Sequence, residues 1–330
     1  MSLDLSYVLP LRWDEERDPD ELTGYLTSLS GLVDLIVVDG SAADVFAVHR
    51  SHWRQLATHI PPDPDLGFSN GKVDGVFTGV RRARFEAVVI ADDDVRYNSA
   101  NLLTIRGLLE NNDLVRPQNY FAPMPWHALW DSARSLLNRA VRADFPGTLG
   151  FRRSFFIGMG GYDGNVMFEN LELIRTVAAA GGREAVALDL FVARTPPAPG
   201  AFWRQRVRQA YDDLAMPVRL VIFLSVVPVT IFGVATRRVR WLAGAALAAV
   251  LVAERGRRRG AGAQVFPARA SLFAPFWVYE RAVCSWLAVL SRVVYGGIRY
   301  REGIIEMAAT PRRRLESRFR TGGPPVHPVP

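Results

Sequence analysis

The sequence contains one cysteine and one lysine, and each scarcity excludes a class of site. A single cysteine, Cys284, excludes an internal disulfide and leaves no cysteine pair or cluster to hold zinc. The five histidines show none of the spacings of a metal-binding motif. Lys72 is the only lysine, so the basic character of the chain rests on arginine. The N-terminus has neither a basic segment nor a long apolar run, which predicts a globular part that stays in the cytoplasm.

The charge is distributed unevenly along the 330 residues. From Ala201 onward there are 21 arginines and 7 acidic residues, a net charge of +14, which leaves −7 for residues 1–200 because the whole chain carries +7. A basic region suits either nucleic acid or anionic lipid. Because the arginines here flank apolar runs, we expect a membrane as the partner and no nucleic acid.

The first 200 residues alternate apolar runs with amphipathic stretches. Apolar runs at 6–11, 33–39 and 87–90 predict buried strands, with helices at 18–30 and 71–84. This β-α-β alternation predicts an α/β fold with a mostly parallel sheet. Further predicted elements are a short strand at 44–49, a helix at 50–60, a helix at 98–109, a strand within 113–121, a helix at 124–141, a helix that follows 168–170 and runs to 180, and a strand at 184–192.

The remainder of the chain has the composition of a membrane-associated region. Residues 203–214 predict an amphipathic helix that lies along a membrane surface. The apolar run at 218–235 is just long enough to cross a bilayer, whereas the run at 241–253 is too short to span alone unless it is tilted into a hairpin or extended by snorkelling arginines. Because arginines at 237–240 lie between the two runs, either the runs form a shallow hairpin or the positive-inside tendency is broken there. Residues 271–297 are apolar and aromatic but contain three charges, which predicts an interfacial or re-entrant segment.

These features divide the chain into four predicted parts. They are a catalytic domain at 1–200, an amphipathic interface helix at 201–216, membrane-associated helices at 217–300 and a basic, partly disordered tail at 301–330. Within the tail, residues 324–330 are rich in proline and are predicted to be disordered.

Three consecutive carboxylates, Asp92, Asp93 and Asp94, directly follow the predicted strand at 87–90. Carboxylates cannot extend the apolar core of that strand, so they must lie at the edge of the sheet. In an open α/β sheet ligands bind at this edge, and clustered carboxylates there suit a hard divalent cation that carries a diphosphate. The alternative is a solvated turn that caps the following helix.

Other polar groups follow the neighbouring predicted strands. Pro10 and Arg12 end the first strand, and Asp39 ends the second. Because parallel strands end at one edge of a sheet, we expect these groups to lie near the aspartates. Lys72 starts a predicted helix, and a helix N-terminus with a lysine favours a diphosphate.

A series of short motifs occurs in order along residues 5 to 215. They are Val-Leu-Pro at 8–10, Val-Val-Asp-Gly-Ser at 37–41, Asn-Gly-Lys at 70–72, Ile-Ala-Asp-Asp-Asp at 90–94, Gly-Thr-Leu-Gly-Phe-Arg-Arg at 147–153, Gly-Gly-Tyr-Asp at 160–163, Phe-Glu-Asn-Leu-Glu-Leu at 168–173, and Trp-Arg-Gln-Arg-Val-Arg-Gln at 203–209. In this order and rough spacing they resemble the family 2 glycosyltransferases. The chain is similar to the membrane-attached branch of that family, which includes ceramide glucosyltransferases and bacterial enzymes that glycosylate lipids. The last motif resembles the Q-x-x-R-W box of that branch, with Gln209 in place of tryptophan.

The resemblance implies a GT-A fold, a nucleotide-sugar donor and Mg²⁺ or Mn²⁺ as cofactor. Asp39 would bind the base or ribose, Asp94 would bind the metal directly, and Asp92 would support the ribose or the metal shell. Gln205 and Arg208 would hold the diphosphate or close over it. The predicted donor-binding set also includes Pro10, Lys72 and Asp93.

The chain departs from the family pattern at Glu169-Asn170. The family has Glu-Asp at this position, and its aspartate removes the proton of the acceptor hydroxyl. Asn170 cannot take that role, so Glu169 is the predicted base. Two alternatives remain open: Asp163 or Glu172 serves as the base, or the enzyme is impaired.

The resemblance and the composition together predict an inverting hexosyltransferase of the cell membrane with its catalytic domain in the cytoplasm. It would move a sugar from a UDP-sugar, or a GDP-sugar, to a lipid hydroxyl or lipid phosphate. The alternative function is a catalytically impaired membrane scaffold or nucleotide-binding protein. A hydrolase is disfavoured, because the G-x-S-x-G pattern at 67–71 follows a proline-rich loop and not a strand.

Overall fold

The chain divides into two compact units, each built from segments that are distant in sequence. The predicted domains, in contrast, are consecutive segments. The predicted disorder at 324–330 concerns residues outside the described part of the chain. The computed structural model describes residues 2–14, 18–301 and 303–322. The first unit comprises residues 1–117, 146–192 and 310–330, and the second comprises residues 118–145 and 193–309.

The first unit is organised on a mixed, mostly parallel sheet. Its strands are β1 (Leu5–Leu11), β2 (Asp34–Asp39), β3 (Thr58–Ile60), β4 (Ala87–Ala91), β5 (Val95–Arg96), β6 (Leu114–Phe121), β7 (Thr148–Arg152) and β8 (Glu184–Arg194), in the spatial order β3-β2-β1-β4-β7-β6-β8-β5. Strand β1 pairs in parallel with β2 and β4, and β2 pairs in parallel with β3. Strand β7 runs antiparallel to β4 and β6. The β-α-β alternation thus predicts the parallel half of the sheet correctly.

Helices cover the sheet of this unit. They are α1 (Asp20–Leu29), α2 (Ala43–Trp53), α3 (Gly71–Arg82), α4 (Ser99–Leu109), α6 (Arg153–Gly158), α7 (Glu169–Ala179) and α15 (Arg312–Arg320), numbered in chain order through both units. All residues of β1, β2 and β4 are buried, which is why these strands read as continuous apolar runs.

Helix α3 lies directly on β1 because two glycines face the strand. A β-carbon added at Gly75 would lie 2.8 Å from Cβ of Pro10, and one added at Gly79 would lie 2.2 Å from Cγ1 of Val8. No larger side chain fits at either position without displacing the helix. This close packing fixes the first turn of α3, which carries Lys72, relative to the end of β1.

The predicted strand at 44–49 is wrong, because these residues belong to helix α2. Val45, His49 and Trp53 are its buried residues, spaced four apart along one helix face. The continuous apolar run at 45–48 also suits a short strand, and the buried helical face determines the outcome. The strand of this region is β3, at the end of the predicted helix at 50–60.

The second unit is helical apart from a short hairpin and the ends of β6 and β8, at 118–121 and 193–194. Its helices are α5 (Trp126–Val141), α8 (Pro199–Arg204), α9 (Arg206–Ala210), a 3₁₀ turn (Tyr211–Ala215), α10 (Pro217–Ala235), α11 (Val239–Arg258), α12 (Gly262–Val265), α13 (Arg269–Leu272) and α14 (Ala274–Tyr295), and its hairpin strands are β9 (Ile298–Tyr300) and β10 (Gly303–Ile305). The predicted single helix at 203–214 is therefore broken into short pieces. Arg206 turns inward to pair with Asp131 and Glu280, so a single polar face does not continue along this segment.

Helices α10 and α11 form a hairpin, one of the two arrangements that the sequence left open. They are joined at 236–238, where Arg237 has a φ of 54°. Near this turn, Gly233 faces Leu242, whose Cδ2 would lie 3.0 Å from an added β-carbon. Within the described residues, α10 is the one helix that is long and apolar enough to cross a membrane, and 11% of its most apolar window is buried.

Helix α14 engages two charged residues in contacts within the second unit and exposes most of its large apolar side chains. Glu280 accepts hydrogen bonds from Arg206 and Trp130, and Nε of Arg281 donates to Asp213 at 2.8 Å. The exposed large apolar side chains of this helix are Phe276, Tyr279, Val283, Trp286, Leu287, Leu290, Val293, Val294 and Tyr295. Three charges led to the prediction that 271–297 is an interfacial or re-entrant segment. Two of them, Glu280 and Arg281, point into the second unit.

Candidate functional site

The three aspartates lie in the turn between β4 and β5, at the edge of the sheet that the sequence predicts. The backbone N–H of Asp92 donates to the carbonyl of Gly147 at 2.9 Å, and that of Val95 donates to the carbonyl of Asp92 at 3.1 Å. These bonds hold the turn against the start of β7. In the parallel register Leu11 is paired with Asp39, so the ends of β1 and β2 reach the same edge.

Lys72 joins two carboxylates that are far apart in sequence. Its Nζ lies 2.5 Å from Oδ1 of Asp92 and 2.6 Å from Oε1 of Glu169. The three side chains are between 15% and 23% exposed, so the cluster is shielded but open to a ligand. The structure therefore brings together the first aspartate of the triplet, the single lysine and the predicted base.

Asn70 completes the cluster, and the sequence prediction did not include it among the site residues. Its Oδ1 accepts the backbone N–H of Lys72 at 3.3 Å and caps α3, while its Nδ2 lies 3.4 Å from Oε2 of Glu169. Both carboxylate oxygens of Glu169 therefore have a donor. An asparagine directly before Gly71-Lys72 is a helix N-cap signal, which could have indicated a structural role but not the contact with Glu169.

Electrostatics keep Lys72 charged. Burial alone would lower its pKa, but the carboxylates of Asp92 and Glu169 outweigh burial and raise the pKa above the ordinary value. Tyr162 is fully buried nearby, and burial, together with the negative charge of Glu169, raises its pKa. At neutral pH Lys72 is therefore an ammonium group and Tyr162 is a neutral phenol.

Asp39 lies at the predicted edge, but its carboxylate faces the interior. Oδ2 accepts from Nδ1 of His49 at 2.7 Å and from Nε2 of His59 at 3.0 Å, and Oδ1 accepts from the backbone N–H of Ser41 at 2.9 Å. Burial would raise the pKa of Asp39, but these hydrogen bonds lower it below its usual range. The carboxylate thus ties α2 and β3 to the end of β2, and its contact with a base or ribose stays a prediction.

Two further predicted residues also have structural contacts. Asp93 accepts the indole N–H of Trp13 at 2.9 Å, and the backbone N–H of Trp13 donates to Ser41 at 2.9 Å. Pro10 is buried in β1 against Gly75. These contacts shape the edge of the sheet around the aspartate turn.

The open alternatives for the base differ in accessibility. Glu172 is fully buried, its Oε2 accepts the backbone N–H of Thr310 at 2.7 Å, and burial raises its pKa. Asp163 caps a turn by accepting the backbone N–H of Asn165 at 2.8 Å. Asn170, which replaces the family aspartate, donates from Nδ2 to the carbonyl of Pro146 at 3.0 Å. Of these acidic side chains, Glu169 is the one placed beside Lys72 and Asp92.

Gln205 and Arg208 belong to the second unit, whereas Lys72, Asp92 and Glu169 belong to the first. Gln205 is the residue between α8 and α9, and the guanidinium of Arg208 lies 5.7 Å from the ring centre of Tyr300. Their contact with a diphosphate stays a prediction.

The residues present fit a divalent cation that is shared with a substrate. Within the described part of the chain, no group of three or more His, Cys, Asp or Glu side chains is arranged to hold a metal alone. Mg²⁺ in particular is usually held by one or two carboxylates together with substrate phosphates, and Asp92 and Asp94 in one turn supply such a pair. The donor set therefore suits a cation that arrives with a diphosphate.

No family model matches the sequence, and no curated protein matches it either. Solved structures do match the fold. A mannosyltransferase from Pyrobaculum calidifontis, in complex with GDP-Man and Mn²⁺, matches 87% of this chain and 88% of its own with a TM-score of 0.50 at 15% identity. Glucosyl-3-phosphoglycerate synthase from Mycobacterium tuberculosis, in complex with phosphoglyceric acid, matches 61% of this chain and 76% of its own with a TM-score of 0.42 at 18% identity. The TarS protein of S. aureus matches 65% and 40%, respectively, with a TM-score of 0.43 at 16% identity.

These structural neighbours include nucleotide-sugar glycosyltransferases of the GT-A fold. At 15% identity the match with the mannosyltransferase supports a statement about the fold alone. The mixed, mostly parallel sheet with its helices has the GT-A architecture.

Proposed function

We propose that this protein is a metal-dependent, inverting glycosyltransferase that uses a nucleotide-sugar donor, most simply a UDP-hexose, and a lipid or lipid-phosphate acceptor. The observation that carries the proposal is the cluster of Asp92, Lys72 and Glu169 at the edge of a GT-A sheet. It combines a carboxylate of the proposed metal site, a cation for the diphosphate and a carboxylate for the acceptor. GDP-sugars are the second donor class to test.

In the proposed mechanism the metal ligands, Lys72 and Glu169 each have a separate role. Asp94 and Asp92 would hold Mg²⁺ or Mn²⁺, which stabilises the negative charge that develops on the departing diphosphate. Lys72 adds a second positive charge at the diphosphate. Glu169 accepts the proton of the acceptor hydroxyl as that oxygen attacks the anomeric carbon from the face opposite the diphosphate, which inverts the configuration.

Membrane attachment and a lipid acceptor form the second part of the proposal. It is supported by the apolar helix α10, which is largely exposed, and by the exposed apolar side chains of α14. The two helices are adjacent, and the indole N–H of Trp286 in α14 donates to the carbonyl of Leu224 in α10 at 3.1 Å. An aromatic cluster also lies at the start of α14. The ring of Trp130 is 5.8 Å from that of Trp203 and 5.9 Å from that of Phe276, and Trp203 and Phe276 are exposed. Aromatic side chains of this kind suit the interface between lipid and water, where an acceptor lipid would enter.

A catalytically impaired scaffold is the second candidate, and Asn170 is the observation that favours it. Its amide is tied to the carbonyl of Pro146 and cannot accept a proton. If Glu169 does not replace the missing aspartate, the chain would bind a nucleotide without turnover.

The test is a donor panel. Membranes that contain the protein are incubated with radiolabelled UDP- and GDP-sugars and Mn²⁺, and label is counted in the lipid extract. We expect one donor class to label lipid, and Asp94→Asn membranes to give background label. Nucleotide binding without label from any donor would favour the scaffold, and an active Asp94→Asn variant would contradict the metal assignment.

A further inference from the structure

We propose that Lys72 is a positioning residue with two alternative partners: it holds Glu169 while the donor site is empty and transfers to the diphosphate when the donor binds, which frees Glu169 for the acceptor. This inference rests on the proposed function, since it concerns the same site. It adds an order to the reaction, in which the base becomes available only after the donor has bound.

Each carboxylate oxygen of Glu169 already faces a donor. Its Oε1 lies 2.6 Å from the ammonium of Lys72, and its Oε2 lies 3.4 Å from the amide of Asn70. The ammonium occupies the side of Oε1 that faces Lys72, so a substrate hydroxyl cannot approach that oxygen from there. Release of the ion pair with Lys72 frees Oε1 for the hydroxyl of an acceptor.

Lys72 lies within reach of a ligand bound at the aspartate turn, residues 92–94. Its ammonium is 2.5 Å from Asp92, one of the two carboxylates proposed to hold the cation of the donor. A diphosphate bound there would carry negative charge to the immediate neighbourhood of Nζ. The side chain is the single lysine of the chain and is 17% exposed, so a small movement about its own bonds redirects it.

The backbone of Lys72 is anchored, which favours a change of side-chain partner over a movement of the backbone. Asn70 caps the helix at the backbone N–H of Lys72, and Gly75 lies against Pro10 one turn later. The backbone is therefore held at the edge of the sheet while the side chain has three carboxylate or phosphate partners within reach. Competition between Glu169 and a diphosphate for one ammonium follows from this geometry.

A double-mutant cycle on nucleotide affinity tests the proposal in the purified full chain. The dissociation constants of UDP and GDP are measured in EDTA and again in Mn²⁺ for the wild type, Glu169→Gln, Lys72→Met and the double variant. Because Glu169→Gln removes the competitor for Lys72, we expect it to tighten binding by roughly fivefold, the lower end of typical coupling between sites. In the Lys72→Met background the same change should have no effect.

The controls separate competition from simple charge repulsion. Glu86→Gln removes an exposed carboxylate of the same unit that contacts Arg152 and Ser154, and we expect it to leave affinity unchanged. If Glu169→Gln tightens binding equally in both backgrounds, charge repulsion explains the effect and the proposal is wrong. It is also wrong if Glu169→Gln leaves affinity unchanged or weakens it in the presence of Lys72.

A second measurement uses the wild type, so it does not depend on whether Lys72→Met folds. The chain has one lysine, so an amine-reactive reagent reports on Lys72 by mass spectrometry of its peptide, and carbodiimide coupling reports on Glu169. Saturating UDP or GDP should lower the labelling of Lys72 and raise that of Glu169. A fall in both would indicate occlusion and would overturn the proposal. A wild type that binds neither nucleotide, with or without Mn²⁺, would instead remove the proposed function itself.

Discussion

Glu169 is the residue on which turnover depends in this account. The other candidates for the base have different roles. Asn170 cannot accept a proton, the buried Glu172 accepts the backbone N–H of Thr310, and Asp163 caps a turn. Removing a general base typically lowers a rate by a factor of about 10² to 10⁴. We therefore expect Glu169→Gln to reduce sugar transfer in membranes by roughly that factor. The measurement is the initial rate of lipid labelling, with Glu86→Gln as the matched acid-to-amide control, and wild-type turnover in Glu169→Gln would exclude it as the base.

Asp39 is expected to contribute to stability as well as to any contact with donor. Its carboxylate holds two buried histidines, and hydrogen bonds to a charged group contribute about 1.5 to 3 kcal/mol each. We expect Asp39→Asn to lower the free energy of unfolding at pH 7 by about 2 kcal/mol or more, measured by denaturant or thermal unfolding. Unchanged stability with weakened nucleotide binding would instead indicate that the carboxylate serves the ligand alone.

The same carboxylate makes a defined contribution to the pH dependence. Because its pKa is lower in the folded state than in the unfolded state, the stabilisation is fully present above the ordinary carboxyl pKa of about 4 and is lost as the pH falls toward the folded-state value. The wild type should therefore lose more stability than Asp39→Asn between pH 5 and pH 3, two values on either side of about 4. Parallel losses in both proteins would show that other carboxylates account for the acid sensitivity.

At the scale of elements, the contact of α3 with β1 positions Lys72 and can be tested without touching the site. A methyl group at Gly79 would meet Val8 at 2.2 Å, so Gly79→Ala should cost about 1 to 3 kcal/mol of unfolding free energy through overpacking. The control is Gly107→Ala in α4, where an added β-carbon meets no atom within 4 Å. That change should stabilise the protein by up to about 1 kcal/mol, because alanine favours a helix. Equal effects of the two substitutions would contradict the packing described for α3.

The elements that the sequence predicted well are those whose burial is uniform. Strands β1, β2 and β4 are buried on both sides, so their continuous apolar runs predict strands from the local sequence alone. The first half of helix α2 was predicted as a strand, because its buried residues, spaced four apart, lie within a short continuous apolar run that also suits a strand. The antiparallel strand β7 depends on pairing with β4, about sixty residues earlier, which no local pattern encodes.

The site was predictable as a set of residues but not as a set of contacts. The carboxylates after β4 and the lysine after Asn70 were identified by position and by family resemblance. The bond between Lys72 and Glu169 joins residues 97 positions apart, so it required the fold. Likewise, the inward orientation of Asp39 depends on β3, whose register places His59 opposite Val37.

At the scale of the whole molecule, the apolar surface of the second unit predicts firm attachment to membranes. Helix α10 is largely exposed, and α14 exposes aromatic and aliphatic side chains while Glu280 and Arg281 face inward. We expect the protein to stay in the membrane pellet after washing with alkaline carbonate and to be released by detergent. Recovery in the carbonate supernatant would indicate that these faces are covered by protein and not by lipid.

The central claim is that the aspartate turn and Lys72 form a donor site for a nucleoside diphosphate and a divalent cation. The most direct test is equilibrium binding of UDP and GDP to the detergent-solubilised full chain, with and without Mn²⁺, for the wild type and Asp94→Asn. The account predicts that Mn²⁺ tightens nucleotide binding to the wild type and has no effect on Asp94→Asn. Absence of nucleotide binding to the wild type, or the same response to Mn²⁺ in both proteins, would contradict it.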